Sequence, residues 1–131
     1  MNEFQIIEIL KKSFADDDIK RQVLDENWYN LNIENNIDST GFCFAASEIL
    51  YRMTGGKSVW KIISINDPND WNNGTHYFLL RKSNNEIIDI TANQYTDRGI
   101  EIPYEKGKAR GLRFVSRKAK LLSRLSDLGE L

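Results

Sequence analysis

The sequence predicts an α+β protein in which N-terminal helices and a helix carrying the only cysteine pack on a small antiparallel sheet, followed by a C-terminal amphipathic helix. Three observations predict it. Apolar residues recur at three-and-four spacing from Phe4 to Phe14, from Phe42 to Met53 and from Ala119 to Leu128. Between the second and third of these stretches, residues 59–65, 75–81 and 86–91 are rich in Val, Ile, Tyr, Phe and Thr and read as strands. The short polar link Ser83-Asn84-Asn85 is hairpin chemistry, which makes the last two strands antiparallel neighbours. A length of 131 residues, 40% hydrophobic and 11% aromatic, suits a single domain over 1–131 with one core.

Taken in order, the first helix carries Phe4, Ile6, Ile7, Leu10 and Phe14 and is expected to end near Asp16-Asp17-Asp18, with Asp18 capping a short second helix through Ile19, Val23 and Leu24. The asparagine-rich stretch Asp25 to Asp38 reads as a long loop anchored by Trp28, Tyr29, Leu31 and Ile33. Loops of that length more often serve a site than merely join elements. Ser39 or Thr40 is the expected cap of the next helix, whose stripe is Phe42, Ala45, Ala46, Ile49, Leu50 and Met53 and whose stop is Gly55-Gly56. The link Asn66-Asp67-Pro68-Asn69-Asp70 is loop chemistry. Beyond the strands, Gly107 and Gly111 flank a basic link, Leu112 to Val115 is expected to add a short strand, and a helix follows Ser116.

A net charge of −1 and a mean hydropathy of −0.51 describe a soluble protein, and no apolar run is long enough to span a bilayer. The N-terminus lacks a basic start and a small-residue cleavage site, so the expected location is cytoplasmic. Charge is uneven. Acidic residues load the first third, whereas Lys106, Lys108, Arg110, Arg113, Arg117, Lys118, Lys120 and Arg124 follow one another with no acid among them. That segment suits phosphate or an acidic partner, or a solvated face balanced by the acidic front. One cysteine makes no internal disulfide, and one cysteine with one histidine falls short of a structural zinc site; neither metal nor cofactor is expected.

Cys43 follows Gly41-Phe42 at the first turn of its helix, where unpaired amides and the helix dipole favour thiolate, the nucleophilic form. His76, the only imidazole, opens a strand and suits a general base. Asp89 interrupts the apolar run Ile87, Ile88, Ile90, and a carboxylate buried there needs a partner. Side chains alternate along strands, so a two-residue turn or a bulge between the strands sets Asp89 on the face of His76, with Phe78, Leu80, Ile87 and Thr91, toward the cysteine helix. A symmetric three-residue loop separates the two.

The segments Gly41-Phe42-Cys43-Phe44-Ala45-Ala46, Gly55-Gly56, His76-Tyr77-Phe78 and Ile88-Asp89-Ile90-Thr91 resemble, in that order, the core of the transglutaminase-like and papain-like cysteine hydrolases. They also resemble a group of short phage and bacterial proteins that carry an Asp-x-Thr-x-x-Gln segment, in which Gln94 takes the glutamine position, and a basic tail. The resemblance covers roughly residues 40–120. It implies a Cys43 nucleophile, a His76 base, an Asp89 orienter and no cofactor. Ile90 stands where proline is common, and Tyr77-Phe78 replaces a small residue followed by tryptophan. The backbone N–H of Cys43 offers one oxyanion donor; Trp28, Asn35, Asn36 and Gln94 are candidates for the rest of that site.

Thiol-dependent acyl transfer is therefore expected, as a hydrolase, peptidase, deamidase or transglutaminase acting on a protein, peptide or small amide. Two other readings stay open. One is a non-catalytic binding protein that engages a host protein or nucleic acid through the basic segment, although from Lys106 to Arg124 only Phe114 could stack on a base, which disfavours nucleic acid. The other gives Cys43, His76 and Asp89 purely structural roles.

Overall fold

The computed structural model describes residues 1–67, Trp71 and 74–131; Pro68-Asn69-Asp70 of the expected loop lie outside the described residues. Its helices are α1 (Glu3–Phe14), α2 (Asp17–Val23), α3 (Glu26–Asn35), α4 (Cys43–Met53), α5 (Asn93–Thr96) and α6 (Arg117–Leu125). Strands β1 (Trp60–Asn66), β2 (Thr75–Arg81), β3 (Ile87–Ile88) and β4 (Lys108–Arg110) form one antiparallel sheet in the order β3-β2-β1-β4. The class is α+β, as the sequence predicts. No helix is long and apolar enough to cross a membrane among the described residues.

Local chemistry sets the helix ends. The Asn2 side chain accepts from the Gln5 N–H while the Gln5 side chain accepts from the Asn2 N–H, a reciprocal cap on α1. Asp16, not Asp18, caps α2, because its carboxylate accepts from the Ile19 N–H. The expected loop at 25–38 is instead largely α3. Its asparagines each cost a helix only a few tenths of a kcal/mol, roughly, so caps and tertiary contacts override them. Asp25 accepts from the Trp28 N–H at 2.9 Å, and Asn36, at φ 57°, ends the helix. Buried Asn32 donates to the carbonyls of Asp38 and Thr40, both at 2.9 Å, tying α3 to the chain that enters α4.

Ser39 and Thr40 do not cap α4. The helix starts at Cys43 after Phe42, with no side-chain cap, because the Ser39 hydroxyl is committed to the Asn93 side chain at 2.5 Å. Phe42 is fully buried and stacks on Phe14 at 4.7 Å, which fixes the entry instead. The stop after Met53 falls where Gly55, at φ 114°, and Gly56 turn the chain away.

The helices other than α5 pack on one face of the sheet. Phe42 and, from α4, Ala45, Ala46, Ile49 and Leu50 join Trp60, Ile62, Leu79 and Ile90, while Ala119, Leu122 and Leu128 close the same cluster from the C-terminal side. Glu48, in the middle of α4, is fully buried; it accepts from Arg52 at 2.7 Å and from the Ser116 N–H at 3.3 Å, which docks the start of α6. On the opposite face Ile63, Ile65 and Phe78 meet Tyr95 and Ile102 in a smaller cluster. This corrects the expected facing: Phe78 points away from the cysteine helix, and it is Leu79 that packs toward it. The reason is register, since Ile62 lies opposite Leu79 and Ile63 opposite Phe78.

Two strand expectations also change. The strand expected over 86–91 pairs only at Ile87 and Ile88, opposite Leu80 and Leu79. No strand forms at Leu112–Val115; the sheet edge beside β1 is taken by the basic link itself, with Ala109 opposite Ile63. Leu112 and Val115 pack on the core without ladder bonds, and Phe114 is 86% exposed.

Candidate functional site

The hairpin decides whether the histidine and aspartate meet. Pairing of Leu79 with Ile88 and Leu80 with Ile87, closed by the Arg81 N–H to the Glu86 carbonyl, leaves the four residues 82–85 as the loop. That is longer than a two-residue turn but also even, so the alternation of faces is kept. His76 and Asp89 therefore share the face of Phe78. His76 Nε2 and Asp89 Oδ2 lie 2.7 Å apart, with side chains 1% and 3% exposed.

Asp89 Oδ2 accepts a second hydrogen bond, from the Tyr104 hydroxyl at 2.9 Å. Burial, followed by the charge and hydrogen bond of Asp89, raises the Tyr104 pKa. Sequence reasoning missed Tyr104, which is brought in by a single 3₁₀ turn after Pro103. A buried carboxylate has room for several donors, but nothing in the spacing tells which hydroxyl supplies one. The rings of Tyr95 and Phe78 pack against the imidazole at 4.8 and 6.3 Å.

Cys43 stands at the first position of α4, 9% exposed, and its thiol donates weakly to the Thr75 carbonyl at 3.6 Å. That contact sets the sulfur beside the residue that precedes His76. Burial works to lower the His76 pKa, but hydrogen bonding to Asp89 and to Cys43, and the charges of both, outweigh it and raise the pKa from 6.5 to about 9. With Nε2 taken by Asp89, Nδ1 is the nitrogen left over; it is buried with no hydrogen-bond partner among the described residues, while the thiol is bonded to the Thr75 carbonyl. The uncapped first turn of α4 adds amides with no side-chain acceptor. Such a centre can hold a protonated imidazole near the cysteine and deliver a proton to a leaving group.

Gly41 makes the approach possible. At φ 92° it occupies the left-handed region, and a Cβ there would lie 2.8 Å from Leu24 Cδ2 and 3.2 Å from Trp28 Cβ. Gly41→Ala is expected to cost about 2 kcal/mol of stability and to slow alkylation of Cys43, measured by denaturant titration and mass spectrometry; an unchanged unfolding midpoint would contradict it.

The other sequence candidates scatter. Trp28 is half-buried and backs Gly41. Asn35 accepts from Arg98, and Asn36 is the exposed end of α3. Gln94 is 1% exposed on α5, next to the Asn93 that holds Ser39, and its Nε2 has no partner among the described residues. In the basic segment Lys106 pairs with Asp67 at 3.1 Å and Lys118 with Asp25 at 3.7 Å, while Arg110 donates to the Ser64 hydroxyl at 2.6 Å. Lys108, Arg113 and Arg117 are exposed and form no ion pair among the described residues. Comparison of the chain with protein-family models, with curated proteins and with solved structures found no match.

Proposed function

We propose that the chain is a thiol-dependent acyl-transfer enzyme, of hydrolase, peptidase or deamidase type, that uses Cys43, His76 and Asp89. The observation that carries this reading is the buried His76–Asp89 pair at 2.7 Å, with the cysteine at the start of α4 bonded to the carbonyl of the residue before His76. The resemblance to the transglutaminase-like core supports it with the same three roles in the same order. Cys43 Sγ attacks the substrate carbonyl carbon and forms a C–S bond. The electron pair moves to the carbonyl oxygen, where the Cys43 N–H is suited to receive it; Gln94, whose buried Nε2 has no partner among the described residues, is the candidate for a second donor. As the carbonyl re-forms, the C–N bond breaks and the His76 imidazolium protonates the departing amine. Water or a second amine then attacks the thioester, gives its proton to His76 and releases the thiolate. Asp89 stabilises the ring when charged and fixes its orientation.

The test is alkylation of Cys43 by a small thiol-directed electrophile across a pH series, in the native protein and in His76→Ala. Fast labelling at neutral pH that slows at least tenfold in the variant is expected; equal slow labelling in both would sink the reading. Gln94→Ala tests the oxyanion assignment: alkylation, which builds no oxyanion, is expected to stay within about twofold, while turnover of an activated ester or amide falls about 10²-fold. Equal turnover by both forms would remove Gln94 from that role.

A second reading, a binding protein, has its own observation: exposed Arg113, Phe114 and Arg117 cluster where α6 begins. A salt-sensitive complex lost on charge reversal of Arg113, and unaffected by Cys43→Ala, would favour it.

A further inference from the structure

The far end of α4 from Cys43 borders a cavity of about 290 Å³, walled by the last helical turn, the start of β1, the residue after β2 and the chain leaving β4. Its charged lining residues are Lys57, Lys61, Lys82 and Arg110, and no carboxylate lines it. Two of the four are held in place: Lys82 Nζ donates to the Lys57 carbonyl at 2.5 Å, and Arg110 Nε donates to the Ser64 hydroxyl at 2.6 Å. None of the four forms an ion pair among the described residues. Glu3 and Glu86, which do not line the cavity, are both tied to Arg81.

We propose that this cavity is an anion site for a small phosphate-bearing ligand, either a free polyphosphate or the phosphate end of an ester. Four like charges around one cavity repel one another, and in a protein of net charge −1 their clustering has no stabilising role of its own. A single carboxylate leaves most of that charge uncompensated. A phosphate group brings up to two charges and several acceptor oxygens within a few ångströms, and with Nε engaged Arg110 still offers its two terminal nitrogens as a fork. The volume sits at the lower bound of small-ligand pockets, roughly 300 Å³. Single-stranded nucleic acid needs successive open aromatic faces, whereas of the two rings that line the cavity Trp60 is buried with Arg81 stacked over it at 4.4 Å, which leaves the half-buried Tyr51.

Calorimetric titration of the full chain with inorganic phosphate, pyrophosphate, ribose 5-phosphate and a short single-stranded oligonucleotide, at constant ionic strength, tests the assignment. Saturable binding is expected, with pyrophosphate tightest if the ligand is a polyphosphate and ribose 5-phosphate tightest if it is an ester. Joint replacement Lys61→Gln and Lys82→Gln should weaken the tighter of these about tenfold or more, with an unchanged melting temperature. Cys43→Ala should leave it untouched, because the site lies away from the thiol. No saturable heat, affinity unchanged by the double replacement, loss of binding in Cys43→Ala, or an oligonucleotide that binds more tightly than either phosphate compound would each overturn the proposal.

Discussion

Asp89→Ala is expected to lose about 3–5 kcal/mol of folding stability, the range for removing one partner of a buried ion pair, and to slow alkylation of Cys43 at least tenfold at neutral pH. The carboxylate oxygen Oδ2 serves two buried donors, His76 Nε2 at 2.7 Å and the Tyr104 hydroxyl at 2.9 Å. Without it the ring surrenders its proton and the hydroxyl loses its acceptor, and both penalties fall on the folded state. Tyr104→Phe removes only the second donor and should cost about 1 kcal/mol. Asp89→Asn keeps the volume but presents a donor where an acceptor is needed; on the scale of the same exchange in serine-protease triads, turnover should fall about 10⁴-fold. Urea titration with parallel alkylation rates distinguishes these outcomes. An Asp89→Ala protein with the native midpoint and labelling rate would show that the pair supports neither stability nor chemistry.

Stability should also fall as pH rises through the alkaline range. His76 has its pKa raised in the folded state from 6.5 to about 9. The folded protein therefore holds a proton that the unfolded chain has already released between these two values. The resulting stabilisation is complete below about pH 6.5, declines progressively as pH rises toward 9 and is absent above it; integrated over that interval it is on the order of 3 kcal/mol. Unfolding midpoints measured from pH 6 to 10 should show this slope in the native protein and not in His76→Gln. On the proposed mechanism the same proton serves the chemistry: above pH 9 the ring is neutral and acyl transfer would lose its general acid. A slope of opposite sign, or one that survives His76→Gln, would refute the ring as the titrating group.

The parts of this arrangement that were legible in the sequence are those governed by local rules. Three-and-four spacing identified α1, α4 and α6, and β2 was read at its observed limits because its composition and hairpin agree. Face sharing by His76 and Asp89 followed from an even loop, whether of two residues or four. What escaped was tertiary. Asn27, Asn30 and Asn32 argued against a helix, yet α3 forms because Asp25 caps it and the Asn32 amide bridges two carbonyls that come near only in the folded chain. The sheet face was misassigned because Phe78 and Leu79 are equally apolar, and alternation alone does not say which side meets α4. Tyr104 was invisible for the same reason: its role depends on a turn after Pro103 that no periodicity marks.

Glu48 carries a consequence for the order in which the molecule is made. Its carboxylate, sealed inside the protein, meets the backbone of Ser116, 68 positions downstream. During synthesis the cysteine helix therefore emerges with a Glu48 that has Arg52 beside it but lacks its second partner until Ser116 arrives. Cys43 is translated early, and its helix is completed late. In the interval α4 is incomplete, and the helix that carries Cys43 gains this backbone partner only once the start of α6 has docked.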